Sequence, residues 1–135
     1  MISIDSIMNY GEIEIVTRII NQCNTYISQD TTVGIISLYA AQSWLYNKRL
    51  QAPFLQISTV DAFQGNEKDL VILSTVRSNA IGFTADPRRL NVAITRAKSQ
   101  LIIVGNIQLL QMNSLWKQVI EYVRVHGQII ESKDL

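Results

Sequence analysis

The sequence is poor in the residues on which many protein scaffolds and reactions depend. Its 135 residues include one cysteine, one histidine and two prolines. A single cysteine, Cys23, excludes an intramolecular disulfide scaffold and a multi-cysteine zinc site. A single histidine, His126, without a second histidine or a paired partner, leaves Ser-His-Asp hydrolysis and histidine-based zinc catalysis unsupported. The common catalytic and metal-binding classes that use these residues are therefore not indicated.

An excess of charge of one sign and long apolar runs are also missing. Twelve Lys and Arg residues stand against eleven Asp and Glu residues, so the net charge is +1 and the composition indicates no strongly charged partner. Apolar runs such as LIIV at 101–104 are far shorter than the roughly 18 residues of a membrane span, and no secretion signal is recognisable. Hydrophobic residues make up 47% of the chain, which suffices for a core. We expect one intracellular domain over residues 1–135, nuclear or cytoplasmic and without membrane contact.

Short apolar runs alternate with helical patterns along the chain. Strands are predicted at 32–37, 55–60, 70–76 and 100–104, with further edge strands at 1–5 and 128–130. Helices are predicted at 12–28, 40–50, 86–97 and 114–126. The strand runs are continuously apolar rather than alternating, which is typical of strands buried on both faces of a parallel sheet. The pattern predicts a layered α/β domain with a mainly parallel sheet.

Individual residues mark the ends and faces of these helices. Asp86 followed by Pro87 predicts a helix N-terminus, and Gly127 stands where a glycine commonly follows a helix. Cys23 falls on the apolar stripe of the first helix, which favours a buried core position over a reactive thiol. His126, near a helix end, is interpreted as a partner of the helix dipole.

The segment at 58–67 (STVDAFQGNE) is the first candidate for ligand binding. Parallel sheets bind ligands at the carboxyl ends of their strands, and this loop follows a predicted strand. Thr59, Gln64 and Gly65 supply a hydroxyl, an amide and accessible backbone for phosphates, and Glu67 suits ribose hydroxyls. The alternative is a polar turn that Asp61 caps.

Two further segments carry candidate ligand-binding side chains. As one helix, residues 86–97 place Arg89 and Arg96 on the same shoulder, where both could bind phosphate; the alternative is a solvated basic face. At the end of the strand at 32–37, Ser37 could hold a phosphate and Tyr39 could stack on a base. Tyrosine at a strand end is more often part of the core or an interface.

Taken together, these segments resemble superfamily 1 helicases, in particular the branch with the RNA helicase of nonsense-mediated decay and its DNA-acting relatives. The stretch STVDAFQGNEKD at 58–69 resembles helicase motif V, and DPRRLNVAITRAK at 86–98 resembles motif VI. VGIISLYAAQ at 33–42 is similar to motif IV, and Asn9 and Glu12 agree with the flank of the family's pattern. The resemblance implies a three-layer RecA-like domain of the P-loop NTPase type, the second of the two that such helicases possess.

The resemblance also implies roles for individual residues. Arg96 matches the arginine finger that reaches the γ-phosphate of ATP, and Arg89 would support it. Gly65 and Glu67 would face the nucleotide. Ser37 and Thr59 match positions that touch the phosphates of a single strand of RNA or DNA, and Tyr39 and Gln64 complete the candidate strand-binding set.

Four features of the family pattern are missing from the sequence. It contains neither a P-loop nor an acidic Mg²⁺-binding motif, it lacks the QYRM segment that usually opens the second domain, and Leu38 replaces a usual proline. We therefore expect an N-terminally truncated half of a helicase that uses ATP and Mg²⁺ only with a first RecA-like domain, in the same parent chain or in trans. The isolated chain should not hydrolyse ATP. The alternative is a non-catalytic helicase-like module that binds a protein or a single strand.

Overall fold

The computed structural model describes residues 9–23, 30–50, 54–63, 65–76 and 86–135, apart from the side chain of residue 23. Helices and strands alternate along this part of the chain. They are α1 (Tyr10–Cys23), β1 (Val33–Ser37), α2 (Ala40–Arg49), β2 (Leu55–Thr59), β3 (Lys68–Ser74), α3 (Pro87–Ile94), β4 (Ala97–Val104), α4 (Ile107–Leu110), α5 (Ser114–His126) and a short 3₁₀ helix (Ser132–Asp134).

The four described strands form one parallel sheet in the order β2-β1-β3-β4. In the centre, Ile35 of β1 pairs with Ile57 of β2 on one side and with Ile72 of β3 on the other. Every residue of β1 is buried, as are the last five of β3, whereas β2 and β4 are partly exposed. The predicted parallel sheet is confirmed, and the continuously apolar runs are those of its two central strands.

Helices cover both faces of the sheet, so the predicted three-layer architecture is confirmed. Successive side chains of a strand point to opposite faces. On one face, Ile35 joins a core that α1 and α2 complete with Val16 and Tyr46. On the other face, Ile36 joins a core that includes Trp116 of α5.

Element ends differ from the sequence prediction at several places. The helix predicted at 86–97 ends at Ile94, and β4 already begins at Ala97, because Thr95 and Arg96 form a turn. The strand predicted at 128–130 is wrong, since these residues are exposed and form no regular secondary structure. The predicted strand at 1–5 and residues 24–28 of the first predicted helix lie outside the described residues.

The predicted helix ends are largely confirmed. The Asp86 carboxylate accepts a hydrogen bond of 2.9 Å from the Arg88 N–H, with Pro87 at the first helical position. Helix α5 spans the predicted residues and ends at Gly127, which has φ −137° rather than the left-handed conformation that specifically favours glycine. His126 is exposed, and its ring stacks on Tyr122 at 4.2 Å.

A glycine in the central strand makes room for the loop that follows β2. A Cβ atom on Gly34 would stand 2.6 Å from Cζ of Phe63, and the Phe63 ring is completely buried. The backbone N–H of Phe63 donates to the carbonyl of Thr59 at 3.1 Å, which closes the turn. Phe63 therefore anchors the start of this loop against β1.

We predict that Gly34→Ala lowers the free energy of unfolding by about 1–3 kcal/mol, because the added Cβ would overlap the buried ring of Phe63. Urea denaturation measures the change. In a Phe63→Leu background the same substitution should cost less than half as much. Equal costs in both backgrounds would show that the ring contact is not the cause.

Candidate functional site

All described strands run in the same direction, so the sheet has one edge of strand starts and one edge of strand ends. The starts of β1, β3 and β4 form the amino edge, and the ends of β1, β2 and β3 form the carboxyl edge. The sequence predicts that the loop at 58–67 lies at the carboxyl edge, because it follows a strand. The structure divides the residues of this loop between the two edges.

The amino edge brings Gly65, Glu67 and Arg96 together. Lys68 pairs with Ala97 in the sheet, and the Lys68 N–H donates to the Arg96 carbonyl at 3.0 Å. Glu67 and Arg96 thus immediately precede paired residues on neighbouring strands. Gly65 is exposed and has φ +81°, a conformation that glycine adopts without strain. The expected placement of Gly65 and Glu67 at the carboxyl edge is wrong, because the loop after β2 returns to the start of β3.

The guanidinium of Arg96 is held by neutral oxygen atoms. Its Nε donates to the Val92 carbonyl at 3.2 Å, and its Nη2 donates to Oγ1 of Thr95 at 3.1 Å. Within the part of the chain that the structure describes, Arg96 forms no ion pair with a carboxylate. Because arginine stays charged, its positive charge is available to an anion that approaches this edge.

Arg89, in contrast, lies among carboxylates at the carboxyl edge. Its Nη2 is 3.2 Å from Asp61 and its Nη1 is 3.1 Å from Asp86. The hydrogen bond to Asp61 is the main reason that the pKa of Arg89 is raised. The prediction that one helix face carries both arginines is wrong, since α3 ends before Arg96 and the two side chains have separate surroundings. A nucleotide contact by Arg89 stays a prediction.

The remaining predicted residues at the carboxyl edge are mostly enclosed. The Ser37 hydroxyl is fully buried, donates to the Tyr39 carbonyl at 2.8 Å and accepts from the Tyr39 N–H at 3.1 Å. Tyr39 is 4% exposed and packs in the core, so the structure favours the core interpretation over base stacking. Oγ1 of Thr59 accepts from the Ala62 N–H at 3.3 Å, and Thr59 is only half-buried. Gln64 lies outside the described residues.

A buried carboxylate beneath the carboxyl edge was missed as a functional feature. Glu12 of α1 is 5% exposed and accepts hydrogen bonds from Oγ of Ser74 at 2.6 Å and from the Val76 N–H at 3.0 Å. The Tyr46 hydroxyl lies 2.9 Å from Oγ of Ser74 and extends the network. Burial raises the pKa of Glu12 to about 7. The sequence contained one sign of this burial: Glu12 lies one helical turn before Val16 and so shares the apolar stripe of α1.

Val76 has a backbone conformation that β-branched residues rarely adopt. Its φ is +75°, in the left-handed region, where strain typically costs about 1–3 kcal/mol. Its N–H donates to the Glu12 carboxylate, and its carbonyl accepts from Nδ2 of Asn9 at 2.8 Å. The surrounding hydrogen bonds therefore hold this conformation on both sides of the residue.

Comparisons with known proteins identify the family of the chain. An AAA domain family model (AAA_12) matches residues 2–108. The DNA polymerase alpha-associated DNA helicase A of Saccharomyces cerevisiae is 46% identical over 110 residues, covering 76% of this chain and 16% of the relative. The probable helicase senataxin of Homo sapiens is 40% identical over 141 aligned positions, covering 96% of this chain and 5% of the relative. This chain belongs to the superfamily 1 helicases.

The helicase chain corresponds to a small part of its relatives. The ATP-dependent helicase NAM7 of Saccharomyces cerevisiae is 51% identical over 80 residues, which cover 57% of this chain and 8% of the relative. Among the described helices, none is long and apolar enough to cross a membrane.

Membership of this family implies ATP and Mg²⁺ as ligands, so the described residues can be compared with the groups that each ligand needs. Arg96 and Glu67 have the chemistry to contact a phosphate and a ribose. Within the described residues, no group of three or more His, Cys, Asp or Glu residues could hold a metal ion. The described part of this helicase domain therefore has residues whose chemistry suits a nucleotide contact, and it contains no such group of metal-binding side chains.

We predict that Val76→Gly is more stable than Val76→Ala by about 1 kcal/mol, because glycine adopts φ +75° without strain. Urea denaturation of both variants measures the difference. Val71, which is buried within β3, provides the control, since there alanine should be the more stable replacement. Alanine being more stable at both positions would contradict the left-handed conformation of Val76.

The raised pKa of Glu12 predicts a pH-dependent stability. Folded Glu12 titrates at about 7 and the unfolded group at its ordinary 4.5, so between these values the folded state retains a proton that the unfolded state has lost. Stability should therefore fall as the pH rises from 4.5 and level off above 7, by up to about 3 kcal/mol.

The Glu12→Gln substitution removes this titration. Glu14 is exposed on the same helix, so Glu14→Gln serves as the control. Denaturation between pH 5 and pH 8 should show a smaller decline for Glu12→Gln than for the wild type or Glu14→Gln. Parallel curves for all three proteins would refute the buried carboxylate as their cause.

Proposed function

We propose that this chain is the second RecA-like domain, the C-terminal half, of an ATP-dependent nucleic-acid helicase or translocase. Its amino edge completes a nucleotide site on a first RecA-like domain, and its carboxyl edge contacts a single strand of RNA or DNA. The observation that carries the proposal is Arg96 beside Glu67, held without a carboxylate partner among the described residues.

Arg96 acts as the arginine finger in this proposal. Its side chain leaves the Val92 carbonyl and the Thr95 hydroxyl and donates to the γ-phosphate of ATP. These two hydrogen bonds, of 3.2 and 3.1 Å, are to neutral acceptors, so exchanging them for a charged phosphate is favourable. In well-studied NTPases an arginine finger accelerates hydrolysis by roughly 10³–10⁵-fold, because it neutralises charge on the transferring phosphoryl group.

Gly65 and Glu67 hold the nucleoside end of the same ligand. The Glu67 carboxylate accepts hydrogen bonds from ribose hydroxyls. Gly65 is exposed, and no atom would lie within 4 Å of a Cβ placed on it, so a ligand can approach its backbone closely. ATP and Mg²⁺, held by the first RecA-like domain, supply the phosphoanhydride bond and its charge neutralisation.

The carboxyl edge contacts the single strand. Thr59 is half-buried and stands at the end of β2, where its hydroxyl can reach a phosphate. Ser37 shapes this edge through its hydrogen bonds to Tyr39. The proposal also includes a direct contact of Ser37 or Gln64 with a phosphate of the strand. Arg89 ties the loop after β2 to the start of α3 through Asp61 and Asp86.

In an assembly that contains the first RecA-like domain, we predict that Arg96→Ala lowers ATP turnover at least 10³-fold while strand affinity changes less than about twofold. Arg96→Lys should rescue little of the loss, because lysine lacks the planar two-donor geometry. Steady-state phosphate release and fluorescence anisotropy with a labelled oligonucleotide measure the two quantities.

Arg88→Ala provides the matched control, because Arg88 is an exposed arginine of α3. It should leave turnover within about twofold of the wild type. Unchanged turnover in Arg96→Ala would remove the finger assignment. Strand binding with no ATP turnover in the wild-type assembly would instead favour the non-catalytic module.

A further inference from the structure

The hydrogen-bonded network around Glu12 is not used by the proposed nucleotide and strand contacts. It lies beneath the carboxyl edge and connects the start of α1 with the end of β3. Glu12 is too deeply enclosed, at 5% exposed, to touch a ligand directly. Any contribution it makes to function therefore acts through other residues.

The network fixes the backbone of Val76 from both sides. The Glu12 carboxylate binds its N–H through both oxygens at 3.0 Å, while Nδ2 of Asn9 binds its carbonyl at 2.8 Å. A valine at φ +75° returns to an ordinary conformation unless its surroundings oppose the change. Glu12 and Asn9 are the residues that provide this opposition.

The same network orients the start of α2. The Asn9 N–H donates to Oε1 of Gln42 at 2.7 Å, and Nε2 of Gln42 donates back to the Asn9 carbonyl at 2.9 Å. Gln42 is completely buried, so this pair of hydrogen bonds is shielded from water. The start of α2 directly follows Ser37 and Tyr39 of the carboxyl edge.

Packing and backbone hydrogen bonds connect the network to the ends of the neighbouring strands. The Leu38 N–H donates to the Ser74 carbonyl at 3.4 Å, and the Val60 N–H donates to the Ser37 carbonyl at 3.1 Å. The side chain of Val76 packs in the same core as Leu38 and Val60. We therefore expect a change in the backbone conformation of Val76 to alter the packing at the ends of β1 and β2.

We propose that Glu12 and Asn9 are positioning residues for strand binding: they clamp the left-handed backbone at Val76 and thereby hold the carboxyl edge in its binding geometry. This inference rests on the proposed strand contact at that edge. It assigns to the start of α1 a role in nucleic-acid affinity although neither residue touches the strand.

NMR of the 135-residue chain tests the clamp independently of any ligand. The groups that face Glu12 are Ser74, Thr75 and Val76 from the end of β3 and the titratable hydroxyl of Tyr46 from α2. The Val76 amide shift should titrate with a midpoint near pH 7 in the wild type and in Glu14→Gln, and this titration should vanish in Glu12→Gln. An amide shift that is independent of pH in the wild type would overturn the clamp.

Strand affinity tests the positioning role, in the assembly with a first RecA-like domain and with a labelled single-stranded oligonucleotide. Glu12→Ala, which leaves the Val76 N–H and the Ser74 hydroxyl without their acceptor, should weaken binding at least tenfold. Glu12→Gln retains an acceptor oxygen and should bind within about threefold of the wild type. Affinity unchanged in Glu12→Ala would overturn the proposal.

Asn9→Ala provides a second variant if Glu12→Ala does not fold. Asn21→Ala, at an exposed position of α1, is its control. It should shift the amides of Val76, Leu38 and Val60 and weaken strand binding at least fivefold. Wild-type affinity in Asn9→Ala would contradict positioning and leave the proposed function intact. A wild-type assembly that binds no strand would contradict the proposed function. The amide shifts would still test whether Glu12 and Asn9 hold the backbone of Val76.

Discussion

The parallel pairing of β3 with both β1 and β4 is the constraint on which the rest of the structure depends. Because the paired strands point the same way, each connection must return the chain from the carboxyl edge to the amino edge. Helix α3 makes this return before β4, and the short loop anchored by Phe63 makes it before β3. These two returns place Arg96 beside Glu67, although the two residues are 29 positions apart in the printed sequence.

The two edges divide the chemistry of the domain. At the amino edge, an arginine without a carboxylate partner in the described part of the chain meets a glycine-containing loop, which suits a phosphate and a ribose. At the carboxyl edge, buried hydroxyl and carboxylate groups hold the strand ends in place. In the proposed function, this division assigns the nucleotide to one edge of the sheet and the nucleic acid to the other.

Local sequence patterns predicted much of the fold, but they predicted less of the candidate site. Continuously apolar runs identified the central strands β1 and β3, and Asp86 with Pro87 identified the start of α3. The end of α3 was predicted too late in the chain because RAKS at 96–99 has no helix-breaking residue, and only pairing with β3 shows that β4 starts there. Partners such as Asp61 for Arg89 and Val76 for Glu12 lie 28 and 64 residues apart, beyond the reach of periodicity.

The most direct test of the central claim is a crystal structure of the assembly with a first RecA-like domain and a non-hydrolysable ATP analogue. We predict that the guanidinium of Arg96 leaves the Val92 carbonyl and lies within hydrogen-bonding distance of the γ-phosphate, with Glu67 at the ribose. A complex in which Arg96 keeps its contacts to Val92 and Thr95 while the analogue is bound and the domains are closed would contradict the claim.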